Sequence, residues 1–263
     1  MNTDFDGIRK VLIKTAQIAG EFLKKSQSKV SILRYKVTQD IQTTVDIESE
    51  KIILKELFEA YPQANILSEE TGEINHHSEM TFIIDPLDGT KEYFRQLPLY
   101  NISLACEING QTVASAIFRP AENQLFSAAK GSGAFLNDQK ITPSTISDME
   151  KSFVYCYLPT YSRNPEKFSK NWETLGKINR SVYRLRALAD ENTMCCWTAM
   201  GGTEAYINLG NPPKYWDIAP GIFIAQEAGC KITDRYGKPI DLKKIESIII
   251  SNGKIHEKLL TLL

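Results

Sequence analysis

The residues best suited to chemistry are Asp85 and Asp88, in the run Thr81-Phe82-Ile83-Ile84-Asp85-Pro86-Leu87-Asp88-Gly89-Thr90. Phe82, Ile83 and Ile84 read as a short buried strand that delivers the two carboxylates. Pro86 and Gly89 favour a tight turn directly after it. Carboxylates three residues apart on such a turn can converge on one point, where they repel each other unless a cation lies between them. A hard divalent ion is the usual choice. Asp, Pro and Gly are also ordinary surface-turn residues, so these residues alone leave a decorative turn as the rival reading. A haloacid-dehalogenase loop is set aside on spacing, because it needs Asp-x-Asp-Gly-Thr and the chain has Asp-x-x-Asp-Gly-Thr.

Two further stretches place acids at the ends of elements. Ala64 to Ser68 reads as a strand that delivers Glu69-Glu70, and Asp217 precedes a helix in Tyr215-Trp216-Asp217-Ile218-Ala219-Pro220-Gly221. A cluster drawn from Glu69, Asp85, Asp88 and Asp217 argues for a metal more strongly than any one segment does. No histidine or cysteine accompanies it, and oxygen-only ligands favour Mg²⁺, with Mn²⁺ as a substitute. Asp88-Gly89-Thr90 also supplies backbone N–H groups at the start of an expected helix, a place that holds phosphate well. Metal plus phosphate cradle points to phosphoryl chemistry, in which two Mg²⁺ about 3.5–4 Å apart clamp a phosphate and activate water. Plainer roles stand beside these: an N-cap for Asp46 or Asp217, turn geometry for Gly89, core packing for Trp216.

Composition narrows the class. The 263 residues allow one large domain or two small ones. With 42% hydrophobic and 24% charged residues the chain reads as an ordinary globular protein. A formal net charge of −1 implies no broad basic surface for a nucleic-acid polymer or an anionic membrane. The five cysteines Cys106, Cys156, Cys195, Cys196 and Cys230 form no Cys-x-x-Cys pair, so reduced thiols and a cytoplasmic location are expected. His76 and His77 lie in a polar stretch and His256 near the end, which argues against a histidine base. No apolar run approaches membrane-span length, and Met1-Asn2-Thr3-Asp4-Phe5-Asp6 is too polar for a secretory signal.

The elements that position these residues follow from periodicity. Residues 4–26 form an amphipathic helix. A second helix follows Asp46 and ends at Tyr61-Pro62. Residues 72–80 are expected to be a mobile loop. Residues 101–107, 112–119 and 125–129 are antiparallel strands, with Asn109-Gly110 as a hairpin turn. Beyond them, strands at 153–157, 181–185, 204–209 and 248–250 alternate with helices at 165–176, 190–200 and 218–228, and the last ten residues are helical. The order gives an α/β chain, with an α+β half at 1–145 carrying the Asp85 run and an α/β half at 146–263 packed against it.

A resemblance now ties the stretches together. Asp85-Pro86-Leu87-Asp88-Gly89-Thr90 resembles the signature of the inositol monophosphatase superfamily, the lithium-sensitive Mg²⁺-dependent phosphatases. Asp40-Ile41-Gln42-Thr43-Thr44-Val45-Asp46 is similar to its Asp-Leu-Val-Thr-x-x-Asp, Ile66-Leu67-Ser68-Glu69-Glu70 to its strand ending in Gly-Glu-Glu, and Trp216-Asp217-Ile218-Ala219-Pro220-Gly221 to its Trp-Asp-x-Ala-x-Gly. Gln226-Glu227-Ala228-Gly229-Cys230 resembles the Glu-Ala-Gly-Gly that follows.

The resemblance implies a layered α-β-α-β-α sandwich of the sugar-phosphatase type. It also implies roles. Glu69, Asp85 and the Leu87 carbonyl would hold one Mg²⁺, and Asp85, Asp88 and Asp217 a second. Glu69 and Thr90 would position and deprotonate the attacking water, with Asp46 assisting. The amides of Gly89 and Thr90 would bind phosphate. Glu204, Asp190 and Arg186 are the candidates for contact with the rest of the substrate. Where the family often has Gly-Ser-Ala-Ala, this chain has Ala189-Asp190-Glu191-Asn192.

The expected substrate is a small phosphorylated polyol such as inositol monophosphate, hydrolysed by metal-activated water. Lys91-Glu92 resembles instead the branch that acts on adenosine 3′,5′-bisphosphate, and fructose 1,6-bisphosphate is a third choice. Lys36 could reach phosphate or lie on the surface, and the surface is the favoured reading. The resemblance leaves room for a homodimer. A catalytically silent binding protein on this fold is the rival of another class, and it should have lost at least one of Glu69, Asp85, Asp88, Asp217 or Thr90. All five are present.

Overall fold

Asp4 opens the first element by accepting a hydrogen bond from the Gly7 N–H at 2.8 Å, a side-chain N-cap. The computed structural model describes residues 4–37, 40–162, 164–188 and 190–263, without the side chains of Lys36, Val37 and Asp40. The reading of Lys36 therefore lies outside the described side chains.

In chain order the N-terminal elements are α1 (Phe5–Ser26), β1 (Ile32–Val37), β2 (Asp40–Thr43), α2 (Thr44–Ala60), β3 (Asn65–Ser68), β4 (Gly72–Ile74), β5 (Met80–Asp88), α3 (Thr90–Phe94), β6 (Asn101–Ile108), β7 (Gln111–Arg119), β8 (Gln124–Ala129), β9 (Gly133–Leu136) and β10 (Gln139–Ile141). They are followed by β11 (Phe153–Tyr157), α4 (Pro165–Ser181), β12 (Arg184–Arg186), α5 (Glu191–Ala199), β13 (Ala205–Asn208), α6 (Ala219–Ala228), β14 (Lys231–Thr233), β15 (Ile248–Ser251) and α7 (His256–Leu260).

Burial sorts these into five layers. α1 and α2 cover one face of the first sheet, ordered β10-β9-β8-β7-β6-β5-β3-β4, through Ile8, Leu12, Ala16, Leu23, Ile53 and Leu57. Its other face meets α5 and α6 around Ile117, Phe126, Met194 and Ile222. Those helices pack in turn on the second sheet, ordered β12-β11-β13-β15-β14, whose far face carries α4 and α7 around Val154, Ile207, Ile249, Leu175 and Leu259. Alternation along β13 divides the second sheet's faces, with Tyr206 in the middle layer and Ile207 in the outer one. This is the expected α-β-α-β-α sandwich.

Four local expectations change. Residues 72–80 are not one loop, because Gly72 sits at φ +78° and turns the chain back at once, so that β4 pairs antiparallel with β3 through Ile66 and Ile74. The expected helix 165–176 runs on to Ser181, because Asn171, Thr174, Leu175 and Ile178 continue one buried stripe. The strand expected at 181–185 starts only at Arg184. No tight turn follows Ile84; β5 continues as a strand through Asp88. Asn109-Gly110 does form the expected hairpin turn, with φ of 51° and 73°.

His256 is fully buried (0% exposed) between two hydroxyls, Thr233 Oγ1 at 2.9 Å from Nε2 and Ser251 Oγ at 2.7 Å from Nδ1. Thr233 donates its proton to the Asp234 carbonyl, which leaves its oxygen to accept from an Nε2–H, and the Ser251 hydroxyl can donate to Nδ1 of the neutral ring. Burial, and next Lys231, lowers its pKa to about 4. The folded state therefore disfavours the proton, and the stability this supplies is complete above the unfolded value near 6.5 and is lost as pH falls towards 4. Thermal melts from pH 8 to pH 4 should show an acid limb worth up to about 3 kcal/mol, and His256→Asn should shrink it.

Candidate active site

An irregularity in β5 brings Asp85 and Asp88 to one face. Asp85 lies opposite Ser103 of β6 and Asp88 opposite Asn101, so three steps on one strand match two on the other. One extra residue on a strand is a β-bulge. In a regular strand, residues three apart point to opposite faces. The bulge cancels this, and Asp85 and Asp88 share the face towards α5 and α6. Leu87, between them, packs with α1 and α2 on the opposite face. Ser49 of α2 donates to the Pro86 carbonyl at 2.8 Å, and the Leu87 N–H donates to Asp85 Oδ1 at 3.1 Å, which fixes the bulge.

Asp85 is 2% exposed. Burial raises its pKa well above the usual carboxylate range, and the charges of Glu69, Asp88 and Asp217 raise it further. Burial does the same to Asp88, reinforced by Asp190 and Asp217, although Asn101 donates to Asp88 Oδ2 at 3.1 Å. These acids press on one another electrostatically, while among the described residues no three of them close on a single point. Glu69 is placed by β3, its N–H donating to the Ile84 carbonyl at 3.2 Å. Glu50 of α2 braces the turn that follows, accepting from Ser68 Oγ, the Thr71 N–H and Thr71 Oγ1.

Asp46 is not the N-cap that opens α2. Thr43 is, and Asp46 is the third helical residue, accepting from the Thr43 N–H at 2.8 Å in a reciprocal capping box. That leaves Asp46 Oδ1 for Thr90, whose hydroxyl lies 2.9 Å away and 3.0 Å from the Leu87 carbonyl. Burial raises the pKa of Asp46, opposed by its bonds to Thr43 and Thr90. Gly89 has φ +87°, and a Cβ there would lie 2.5 Å from the Leu99 carbonyl oxygen, so no other residue fits this entry into α3.

Asp217 does not cap α6. Its Oδ2 accepts from the Lys214 N–H at 3.0 Å, and the N-cap position belongs to Ile218, which has no side-chain cap. Asp190 does cap α5, accepting from the Thr193 N–H at 2.5 Å, and its charge reaches Asp88. Trp216 is half-buried beside Asp217.

Two of the substrate candidates stand elsewhere. Glu204 is 4% exposed and accepts from the Phe153 N–H at 2.6 Å, at the start of β13, whereas α5 begins beside that strand's far end, where Asn208 donates to Glu191. It is neither a solvated residue nor a neighbour of Asp85. Its replacement by alanine should leave KM unchanged and cost about 1–3 kcal/mol of stability by orphaning the Phe153 N–H, as kinetics and thermal melts will show. Arg186 is exposed on the edge strand β12 and donates to the Leu185 carbonyl. The sequence gives no sign of Asn101, Ser103 or Glu50 and shows Asn192 only as part of the departure at 189–192, because a buried amide, hydroxyl or helical carboxylate carries no signature until its partners are known.

The fold and this centre define a layered α/β protein with a buried acidic site at the junction of its first sheet and its middle helices. The model of the inositol monophosphatase family matches residues 4–263. Nus factor SuhB of Xylella fastidiosa is 32% identical over 253 residues, 93% of this chain and 89% of that protein. Inositol monophosphatase of Dictyostelium discoideum is 31% identical over 255 residues, 94% of this chain and 91% of that one. The crystal structure of extragenic suppressor protein suhB from Bartonella henselae superposes with a TM-score of 0.90 at 29% identity, covering 97% of this chain and 98% of that one. The chain belongs to the inositol monophosphatase family.

Proposed function

We propose that this chain is a Mg²⁺-dependent phosphomonoesterase acting on a small phosphorylated polyol, with inositol monophosphate the leading substrate. The bulge in β5 carries the reading, because it turns Asp85 and Asp88 to one face beside the charges of Glu69 and Asp217. The donor set fits a hard cation: carboxylates and the Leu87 carbonyl, without histidine or thiol. Glu69, Asp85 and Leu87 would hold one Mg²⁺, and Asp85, Asp88 and Asp217 a second. Bound there, Mg²⁺ supplies the Lewis-acid charge for attack of water on phosphorus.

The protein's own groups do the rest. Thr90 gives its single hydroxyl proton to Asp46 or the Leu87 carbonyl, which leaves its lone pairs to orient the water, and Glu69 takes the water's proton. The N–H groups of Gly89 and Thr90 hold the phosphate oxygens. Attack is in line, with no covalent enzyme intermediate. The Dictyostelium relative, named inositol monophosphatase, supports the substrate class. Adenosine 3′,5′-bisphosphate and fructose 1,6-bisphosphate are the alternative substrates.

The name Nus factor SuhB on the Xylella relative favours a second reading, a protein that works by binding a partner. Phosphate release from inositol 1-phosphate, adenosine 3′,5′-bisphosphate and fructose 1,6-bisphosphate, each with Mg²⁺ and with chelator, separates the two. Mg²⁺-dependent release, fastest on inositol 1-phosphate, is expected. No release from any ester would leave the binding reading.

A further inference from the structure

Asn192 is fully buried (0% exposed) in the first turn of α5 and touches four segments at once. Its amide nitrogen lies 3.0 Å from Ser103 Oγ on β6, 3.3 Å from the Trp216 carbonyl and 3.4 Å from Asp88 Oδ2. Its amide oxygen accepts from the Gly221 N–H at 2.9 Å. The last bond fills a gap. α6 begins at Ala219 behind an Ile218 that cannot cap it, so the N–H of Gly221 in the first turn needs an acceptor from elsewhere. Asn192 supplies it from the neighbouring helix. The fit is close: a Cβ on Gly221 would lie 2.9 Å from the amide oxygen and 2.8 Å from the Cβ of Cys195.

The two ends of this amide thus grip different things. The oxygen holds the start of α6, and the nitrogen holds the chain at Trp216 together with Asp88. Asp217 is the residue between Trp216 and the N-cap of α6. Asn192 thus ties the backbone one residue before Asp217 to the Asp88 carboxylate.

We infer that Asn192 is a positioning residue that sets the distance between Asp88 and Asp217 and so tunes divalent-cation binding by that pair, an inference that rests on the Mg²⁺-dependent reading above. It does not itself touch the substrate or the ion. An amide suits the task because it offers donor and acceptor on one short, stiff side chain, and its neutrality adds no charge to an acidic site.

The test uses the full chain and Mg²⁺ itself. Thermal melts across a MgCl₂ titration give the midpoint of the Mg²⁺-induced rise in Tm, and phosphate release from inositol 1-phosphate gives kcat and KM across the same series. Asn192→Ala should raise the Mg²⁺ midpoint about tenfold and lower kcat about tenfold or more at saturating Mg²⁺, with KM nearly unchanged. Thr198→Ala, which removes a buried hydroxyl bonded within α5 to the Met194 carbonyl, controls for loss of helix stability and should leave the midpoint in place. Should Asn192→Ala fold poorly, Asn192→Leu refills the space with a side chain of similar shape that can neither donate nor accept, and should show the same raised midpoint. A wild-type midpoint in either Asn192 variant overturns the inference, and so does a wild type whose Tm does not respond to Mg²⁺. A raised midpoint with no phosphate release from any ester, wild type included, would sink the phosphatase reading and leave the positioning role standing.

Discussion

Asp85→Asn should abolish Mg²⁺-dependent phosphate release, by about 10³-fold or more, and should make the metal-free protein more stable. The first effect follows from the place of Asp85 among the acids. It is the one carboxylate proposed to serve both cations, and a factor of 10³ corresponds to about 4 kcal/mol of barrier. The second follows from what its charge costs. Asp85 is buried, and Glu69, Asp88 and Asp217 oppose its ionisation in the absence of a cation. An amide of the same shape removes that opposition and still accepts from the Leu87 N–H.

The sign of the pH dependence follows from the same facts. A carboxyl whose folded pKa lies above its unfolded value binds its proton more tightly when folded. Metal-free stability should therefore fall as pH rises from the unfolded carboxylate range through the raised folded value. Asp85→Asn should flatten that decline. Thermal melts in chelator from pH 5 to pH 8 provide the measurement, with roughly 2–4 °C expected per kcal/mol for a protein of this size. A variant that loses activity and melts lower than wild type at pH 8 would contradict the account.

Thr90→Ala should lower kcat by about 10²–10³-fold, roughly 3–4 kcal/mol, and leave KM within a few-fold. The hydroxyl is held by two acceptors from different elements, Asp46 Oδ1 at 2.9 Å and the Leu87 carbonyl at 3.0 Å, so its orientation is fixed before substrate arrives. Stability should change by no more than about 1.5 kcal/mol, because Asp46 keeps both donors of Thr43. Thr90→Ser retains the hydroxyl and should recover most of the rate. Steady-state kinetics on the two variants decide the matter, and equal losses in both would mean that Thr90 acts through its methyl packing.

What was legible in the sequence is what depends on short-range pattern. The apolar runs give α1 and the strands β5 to β8, the resemblance of the motifs implies the five layers, and the Asp85 run with Asp217 points to one acidic centre. The mode of convergence was not legible. Residues three apart with proline and glycine between and after them suggest a turn, and only the pairing of β5 with β6 reveals a bulge. The resemblance places Glu204 near the substrate, but a strand carries its two ends about 10 Å or more apart, and Glu204 lies at the end of β13 away from the start of α5. Asp46 and Asp217 were both given the N-cap as their plain alternative, and neither is one, because Thr43 and Ile218 hold those positions. Asn192 showed only as a departure from small residues, since the value of a buried amide lies in four partners distant in sequence.

The middle layer has a consequence for how the protein is made. The inner face of the first sheet, with Ile117, Phe126 and Ala128, is covered by α5 and α6, which lie well downstream in the chain. Asp88 precedes Asp217 by about 130 residues, and a ribosome needs roughly 7–26 s to add them. During that interval the nascent sheet carries an uncovered apolar face and two acids with no partner helix. The acidic centre thus cannot close until Asp217 and α6 have been made, and the interval before that is when a chaperone has something to hold.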